Sequence, residues 1–317
     1  MNLGEGLKMM KFSNFFQAIE RYYETEVDYK TLKFLNRFYL LLLLLYYLGL
    51  YKYVGAMFGA DGIYGYSFLT SVSGANTTYD YDVHQYWQIL SKLTSSESIY
   101  LIYAALILLL FSSLLNFFPI ITGVMALVLH CLFAVRSNLS YWGWGIMITP
   151  YLIYTFFGIT KKSGPIWPVR LLQLNIATLY LDVVLNRIGD VAWSNGNMLY
   201  ETLNQSMFFR FPISWDFFVI MLKAMTYGGL AVEIVAPFCL MTGFFRRSVL
   251  VLLILFHVCL EVLTNVGFWN IMLIPSFLVF LKEEEQKNIL GYLSGLHKTA
   301  GLVVRVFLKR QKNPNYD

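Results

Sequence analysis

The sequence predicts an all-α polytopic membrane protein, with about eight transmembrane helices in one bundle and both termini cytoplasmic. Three observations carry this reading. Of 317 residues, 57% are hydrophobic and 14% charged, where soluble domains have about a quarter charged. Several apolar runs approach the ~20 residues that a helix needs to cross the hydrocarbon core. The Lys and Arg residues gather at the chain ends and in alternate short connections, the bias that marks cytoplasmic loops.

Taken in order, residues 1–33 are expected to form a cytoplasmic or interfacial leader with Lys8, Lys11, Arg21, Lys30 and Lys33. Within it, 12–23 is amphipathic and either lies on the membrane surface or is simply solvated. No cleavable signal peptide is expected, because the leader is polar and charged. The first span is expected over about 34–58. An outer loop at about 59–98 follows, where Asp61, Asp80, Asp82 and Glu97 face the single cation Lys92. Further spans are expected near 99–117, 119–135, 142–160 and 167–188. A surface connection, 197–215, leads to the last three at about 217–242, 249–264 and 268–281. Residues 283–317 make a basic cytoplasmic tail, in which His297, Lys298, Arg305 and Lys309 alternate with apolar residues as in a helix on an anionic leaflet.

Charge placement tests this order. With the leader inside, Lys161/Lys162, Arg246/Arg247 and the tail fall on the same side. The acidic loop, Arg136, the Trp193 turn and Asn265 fall on the other. The net charge of +5 is therefore a topology signal, and nucleic acid is not an expected partner. Cys131, Cys239 and Cys259 lie in apolar runs and read as small core residues, with neither a disulfide framework nor metal spacing. Soluble-enzyme fingerprints such as a Walker loop, a nucleophile elbow or His-Glu-x-x-His are absent. A fixed repeat and a domain linker are absent too, so 34–282 reads as one transmembrane domain. The sequons at Asn76, Asn138 and Asn204 all fall on the outer side, where most polar loop sequence lies, and decide nothing.

Ionisable residues inside spans are costly and mark function or pairing. In the fifth span Asn175, Asp182 and Asn186 share one helical face, and Gln173, Tyr180 and Arg187 form a second stripe. A span with two polar stripes is expected to sit within the bundle. His257 and Glu261 lie four apart in the outer half of the seventh span, and His130 lies in the outer half of the third, with Arg136 at its end. His130, Asp182, Arg187, His257 and Glu261 are thus candidates to line one outward-opening cavity, with Glu233 deeper, near mid-membrane. The plainer alternative is that pairs such as Arg187 with Glu261 only fix helix register.

Several landmarks, in order, resemble the HTTM-domain membrane proteins, a family related to the vitamin K-dependent gamma-glutamyl carboxylase. Asp61-Gly62-Ile63 after the first span is similar to the family's Asp-Gly-Val/Ile. His130, Arg136-Ser-Asn138 and Trp142-Gly-Trp-Gly145 resemble its next region. Tyr180-x6-Arg187-Ile188-x4-Trp193-x2-Gly196 is the closest match, and Glu233-x3-Pro237 and His257 followed by Gly267-Phe268 resemble the last landmarks. The likeness covers about 33–282. It implies a multi-helix bundle in a bacterial inner membrane with a site reached from the non-cytoplasmic side, and a quinone or vitamin K-like cofactor.

The carboxylase's chemistry is not expected here. Its basic lysine is replaced by Arg187, whose guanidinium stays protonated. Its Gly-Gly-Asp carboxylate is replaced by Gly143-Trp144-Gly145, and a large outer domain after the last span is missing from the sequence. The expected function is binding of a quinone- or lipid-like ligand, or a peptide, in an outward cavity. His257, Glu261 and Arg187 are the catalytic candidates, His257 with Glu261 being the better acid/base pair. His130, Arg136, Asp182, Asn186, Glu233 and Trp193 are the ligand-binding or cavity-lining candidates, with no metal. The sequence leaves open whether a reaction occurs at all. The alternatives are an accessory protein for maturation or export of a secreted peptide, docked by the 59–98 loop, and a small-solute transporter.

Overall fold

The computed structural model describes residues 24–58, 96–136, 144–205, 208, 210–211, 214–264 and 268–295. The described chain is mostly helical. In order it contains β1 (Glu26–Asp28), α1 (Lys30–Leu50), a 3-10 turn, α2 (Val54–Phe58), α3 (Ser96–Leu114), α4 (Pro119–Arg136) and α5 (Trp144–Thr160). Then come β2 (Ser163–Pro165), α6 (Trp167–Ile188), α7 (Val191–Ser194), α8 (Met198–Asn204), α9 (Val219–Thr242), α10 (Arg246–Leu263) and α11 (Trp269–Ser276). A 3-10 segment, Phe277–Phe280, continues α11, and residues 283–295 form a helix, α12.

Three helical stretches are long and apolar enough to cross a membrane: Lys30–Phe58, Trp167–Ile188 and Asp216–Thr242. Ser98–Leu114, Pro119–Ala134, Met147–Ile159 and Trp269–Phe280 are shorter and also apolar. Their outward faces carry large hydrophobic side chains, Leu101 73% and Ile220 86% exposed. Soluble proteins rarely expose contiguous apolar surface on this scale, so the architecture is that of an all-α chain compatible with an integral membrane protein.

The first helix is the packing centre. α1 lies against α3, α5 and α11, while α9 lies between α6 and α10. Residues of α1 reach these neighbours through polar contacts within apolar surroundings. Asn36 Nδ2 donates to Thr155 Oγ1 of α5 at 3.1 Å, and the Tyr39 hydroxyl meets Ser276 Oγ of α11 at 2.7 Å. In a bilayer the helices cannot be driven together by the hydrophobic effect, so such hydrogen bonds and small-residue contacts do that work. Gly158 is one of the latter, and it meets backbone: a Cβ there would lie 2.7 Å from both Leu32 Cβ and the Lys33 backbone nitrogen.

Two features go beyond the sequence reading. The end of the leader and the short Lys161–Lys162 connection join through an antiparallel pair, Glu26 opposite Pro165 and Asp28 opposite Ser163. The Tyr29 hydroxyl donates to the Pro165 carbonyl at 2.6 Å and reinforces it. The 197–215 connection contains α8, which buries Leu199 and Leu203 with Trp215 against Leu222 of α9. The leader's 12–23 stretch, the acidic outer loop, the sequons at Asn76 and Asn138, and the tail beyond 295 lie outside the described residues.

The last helix folds back on the first. Thr31 Oγ1 donates to Gln286 Oε1 at 2.5 Å, Gln286 Nε2 donates to the Leu281 carbonyl, and Arg247 pairs with Glu285 at 2.5 Å. Asp28 caps the start of α1 by accepting from the Lys30 backbone N–H at 2.9 Å and pairing with its ammonium at 3.0 Å. Burial alone would raise the Asp28 pKa, but the Lys30 contacts outweigh it and hold the carboxyl below its ordinary value of 3.8.

Two outcomes are expected. Gly158→Val forces α1 and α5 apart against backbone atoms, so detergent-solubilised protein should lose about 1–3 kcal/mol of stability, read as a lower thermal midpoint. Because the folded-state pKa of Asp28 is depressed, its stabilising contribution is complete above the ordinary carboxylate value and fades as pH falls through the depressed one. Asp28→Asn should therefore flatten the acid limb of the melting-temperature profile and leave the neutral-pH pattern of helix contacts intact.

Candidate functional site

The polar side chains of the second half converge where α6, α9, α10 and α11 meet. Helical geometry decides which face of α6 takes part. Gln173 and Tyr180, seven residues apart, turn inward and are buried, and Arg187, seven further on, is three-quarters buried. In the other stripe Asp182 and Asn186 are exposed, and Asn186 Nδ2 donates back to the Asp182 carbonyl at 2.9 Å. Asn175, the first member of that stripe, is half-buried with its Oδ1 enclosed, so only the outer part of the stripe faces away.

His257 of α10 is the centre of that inner group. It is 2% exposed, with Nε2 2.6 Å from the Tyr180 hydroxyl and Nδ1 2.8 Å from Asn270 Oδ1 on α11. Asn270, fully buried, donates from Nδ2 to Glu261 Oε2 at 3.3 Å, and Glu261 Oε1 accepts from Arg210 Nη2 at 2.8 Å. The direction of this chain follows from valence. A carboxylate only accepts, so the Asn270 amide turns its NH₂ to Glu261 and its oxygen to His257. Nδ1 must then carry the proton, and in the neutral ring Nε2 accepts from the Tyr180 hydroxyl. The result is a line of five side chains running from buried Tyr180 to Arg210 at the surface.

A second group forms around Arg187. Its guanidinium pairs with Glu233 of α9, which is 3% exposed, and lies over the Trp193 ring at 4.0 Å. The turn after α6 sets this up. Asp190 accepts from the Ala192 and Trp193 N–H groups and starts the one-turn helix α7, which brings Trp193 back over Arg187. Gly196 closes the turn at φ +71, where a Cβ would meet the Tyr227 ring at 2.7 Å, and the Tyr227 hydroxyl donates to the Ser194 carbonyl at 2.9 Å. The Trp-x-x-Gly spacing is thus the means of covering a buried ion pair with an aromatic lid. Arg187 pairs with Glu233 and Glu261 with Arg210, which replaces the register pair of Arg187 with Glu261 weighed from sequence.

His130 belongs elsewhere. It is fully buried in α4, its Nδ1 2.9 Å from the Tyr47 hydroxyl of α1, in an aromatic cluster with Tyr103 and Phe133. The Tyr103 hydroxyl donates to the Tyr47 carbonyl. Arg136 ends α4, and its side chain lies outside the described residues. Of the sequence candidates, Arg187, Glu233 and Trp193 come together directly. His257 and Glu261 are joined through Asn270, while Asp182 and Asn186 face outward. Tyr180 had been read only as a stripe residue and landmark, and Asn270 and Arg210 had drawn no attention. An asparagine inside the last apolar run was the available signal, since an amide there needs partners. Among the described residues, no group of three or more His, Cys, Asp or Glu side chains could hold a metal ion.

Chemically, the His257 line can pass a proton between the Tyr180 hydroxyl and the imidazole, while Asn270 and Glu261 fix the ring's tautomer and orientation. Arg187 offers a positive charge for an anion or a ligand oxygen, held in place by Glu233 and Trp193. Removing one partner of the buried pair should cost more than removing both. Glu233→Leu alone strands the guanidinium and should destabilise by about 3–5 kcal/mol, whereas Arg187→Met with Glu233→Leu should recover most of that loss in a double-mutant cycle of unfolding measurements. No protein-family model, curated protein or solved structure matches the chain.

Proposed function

We propose that this chain is an HTTM-type integral protein of a bacterial inner membrane, and that its outer half binds a quinone- or lipid-like ligand or a peptide. It has eight spans and both termini cytoplasmic. His257 handles a proton, Tyr180 presents its hydroxyl to the ligand, Arg187 anchors a negative group or quinol oxygen, and Glu261 with Asn270 orients the imidazole. The observation that carries this reading is the Tyr180–His257–Asn270–Glu261–Arg210 chain, buried at one end and open to the surface at the other.

The topology has its own support. β1 beside β2, Thr31 beside Gln286 and Arg247 beside Glu285 gather the described end of the leader, the Lys161–Lys162 connection, the Arg246–Arg247 turn and the start of the tail at one end of the bundle. These are the basic segments that the charge rule puts inside. Carboxylation of protein glutamate is not part of this proposal, because Arg187 in an ion pair cannot serve as a general base.

A second reading is favoured by one feature of the same chain: Tyr180, both His257 nitrogens, both ends of the Asn270 amide and both Glu261 oxygens already have protein partners. A network so completely satisfied also suits a non-catalytic accessory protein for the maturation or export of a secreted peptide, in which it would only fix helix register.

The two readings separate on substitution. If the site binds ligand, His257→Ala and Arg187→Gln should insert and fold while binding of a menaquinone, measured on reconstituted protein, weakens at least tenfold, or about 1.4 kcal/mol. Tyr180→Phe should do the same with a melting temperature near that of the parent. Unchanged binding, or loss of folded protein in all three, leaves the accessory reading standing.

A further inference from the structure

At the end of the bundle away from His257 there is a cavity of about 200 Å³ that this site does not use. Arg246 lies eleven residues before His257 on α10, roughly 16 Å along the helix axis. Its buried floor holds Leu32, Val279 and Phe280 with the amide of Gln173, and its less buried rim holds Arg170 and Arg246 with Val169, Gln286, Asp28 and Glu283. The floor is apolar apart from that amide and the rim is charged, so an occupant would present a polar head to the rim.

The two arginines are alike in having an enclosed Nε and differ in what holds the rest of the guanidinium. Arg170 Nη1 donates to Gln173 Oε1 at 2.8 Å, and Gln173 Nε2 in turn donates to the Val279 carbonyl at 2.5 Å, so the pair is braced against the wall. Arg246 donates from Nη1 to the Phe280 carbonyl at 3.3 Å, while its Nε is buried without a hydrogen-bond partner. A buried donor of a charged group left without an acceptor costs free energy unless something else fills that role. Its neighbour Arg247 has a carboxylate in Glu285, whereas Arg246 has only a carbonyl.

The acids on the rim do not supply the missing acceptor. Asp28 is taken by Lys30 at 3.0 Å and Glu283 by Lys287 at 2.7 Å. Arg246 is also the first residue of α10, whose start has no side-chain cap, so the positive end of that helix adds to its field.

We propose that this cavity is a binding site for an anionic phosphate group, with Arg246 and Arg170 as its ligands and the apolar floor beneath it. Forked guanidinium donors match phosphate oxygens in geometry and charge. The chemistry is shared by two sources, the headgroup of an anionic lipid and a free phosphate. The proposal does not depend on the His257 chain.

The test uses full-length protein in neutral detergent, with thermal midpoint read against three probes: phosphatidylglycerol, phosphatidylcholine and inorganic phosphate. Phosphatidylglycerol should raise the midpoint by several degrees and phosphatidylcholine should not. In Arg246→Gln and Arg170→Gln the half-maximal concentration should rise at least tenfold, while Arg247→Gln, whose side chain is exposed, responds as the parent does. An equal response to inorganic phosphate identifies a free anion as the source, and a response to the lipid alone identifies the headgroup. If either arginine variant fails to fold, Val169→Phe, which narrows the cavity and leaves both guanidinium groups, should weaken the response equally. No midpoint shift with either anionic probe, or a full shift in the cavity variants, overturns the proposal.

Discussion

A histidine with both ring nitrogens engaged holds the second half of this molecule together. His257 takes the Tyr180 hydroxyl on one side and the Asn270 amide on the other, so α6, α10 and α11 are bound at one depth by two hydrogen bonds. In apolar surroundings an unsatisfied imidazole nitrogen would cost several kcal/mol, and rotation of any of the three helices would leave one. The constraint extends outward. Asn270 is oriented by Glu261 and Glu261 by Arg210, which ties the connection before α9 to the end of α10. Packing alone, with apolar side chains against apolar surroundings, would leave these helices free to slide.

The Arg187–Glu233 pair works by a different logic. A buried ion pair contributes little to net stability, because desolvation offsets most of the attraction. Its effect is directional: it commits the end of α6 to one face of α9, and the Trp193 ring laid over the guanidinium keeps water from one side of it. A lysine here would keep the charge but lose the fork that a carboxylate grips and the flat face that an indole covers. Arg187 is therefore the residue that the local turn is shaped around.

Much of the fold was legible in the sequence because the physics behind it is short-range. Run length and loop charge located the helical segments to within a few residues: 167–188 was read as it stands, and α10 begins at Arg246, three residues before its expected start. The site was legible only in part. Helical spacing correctly put Tyr180 on one face with Arg187, but it could not tell which of two polar stripes faced inward, since that depends on where α9 and α10 lie. Nor could spacing join His257 to Glu261 through Asn270, which is on another helix. Spacing also gave no sign that Glu233, expected deeper in the membrane, is the partner of Arg187. The β1–β2 pair could not have been read at all, as three-residue strands with a glycine and a proline carry no periodic signal.

That short pair has a consequence for how the molecule is made. Tyr29 and Pro165, joined by a hydrogen bond, are 136 residues apart, and Thr31 and Gln286 are 255 apart. At a synthesis rate of roughly 5–20 residues per second, the strand at 26–28 waits on the order of ten seconds for its partner. The helix that follows it waits longer for the last one. α1 must therefore hold its place against α3 and α5 while its own first turn is still unclasped, and the end of the bundle that holds β1 closes last. A nascent chain halted between these points would carry the first half without the contacts that Pro165 and Gln286 later supply.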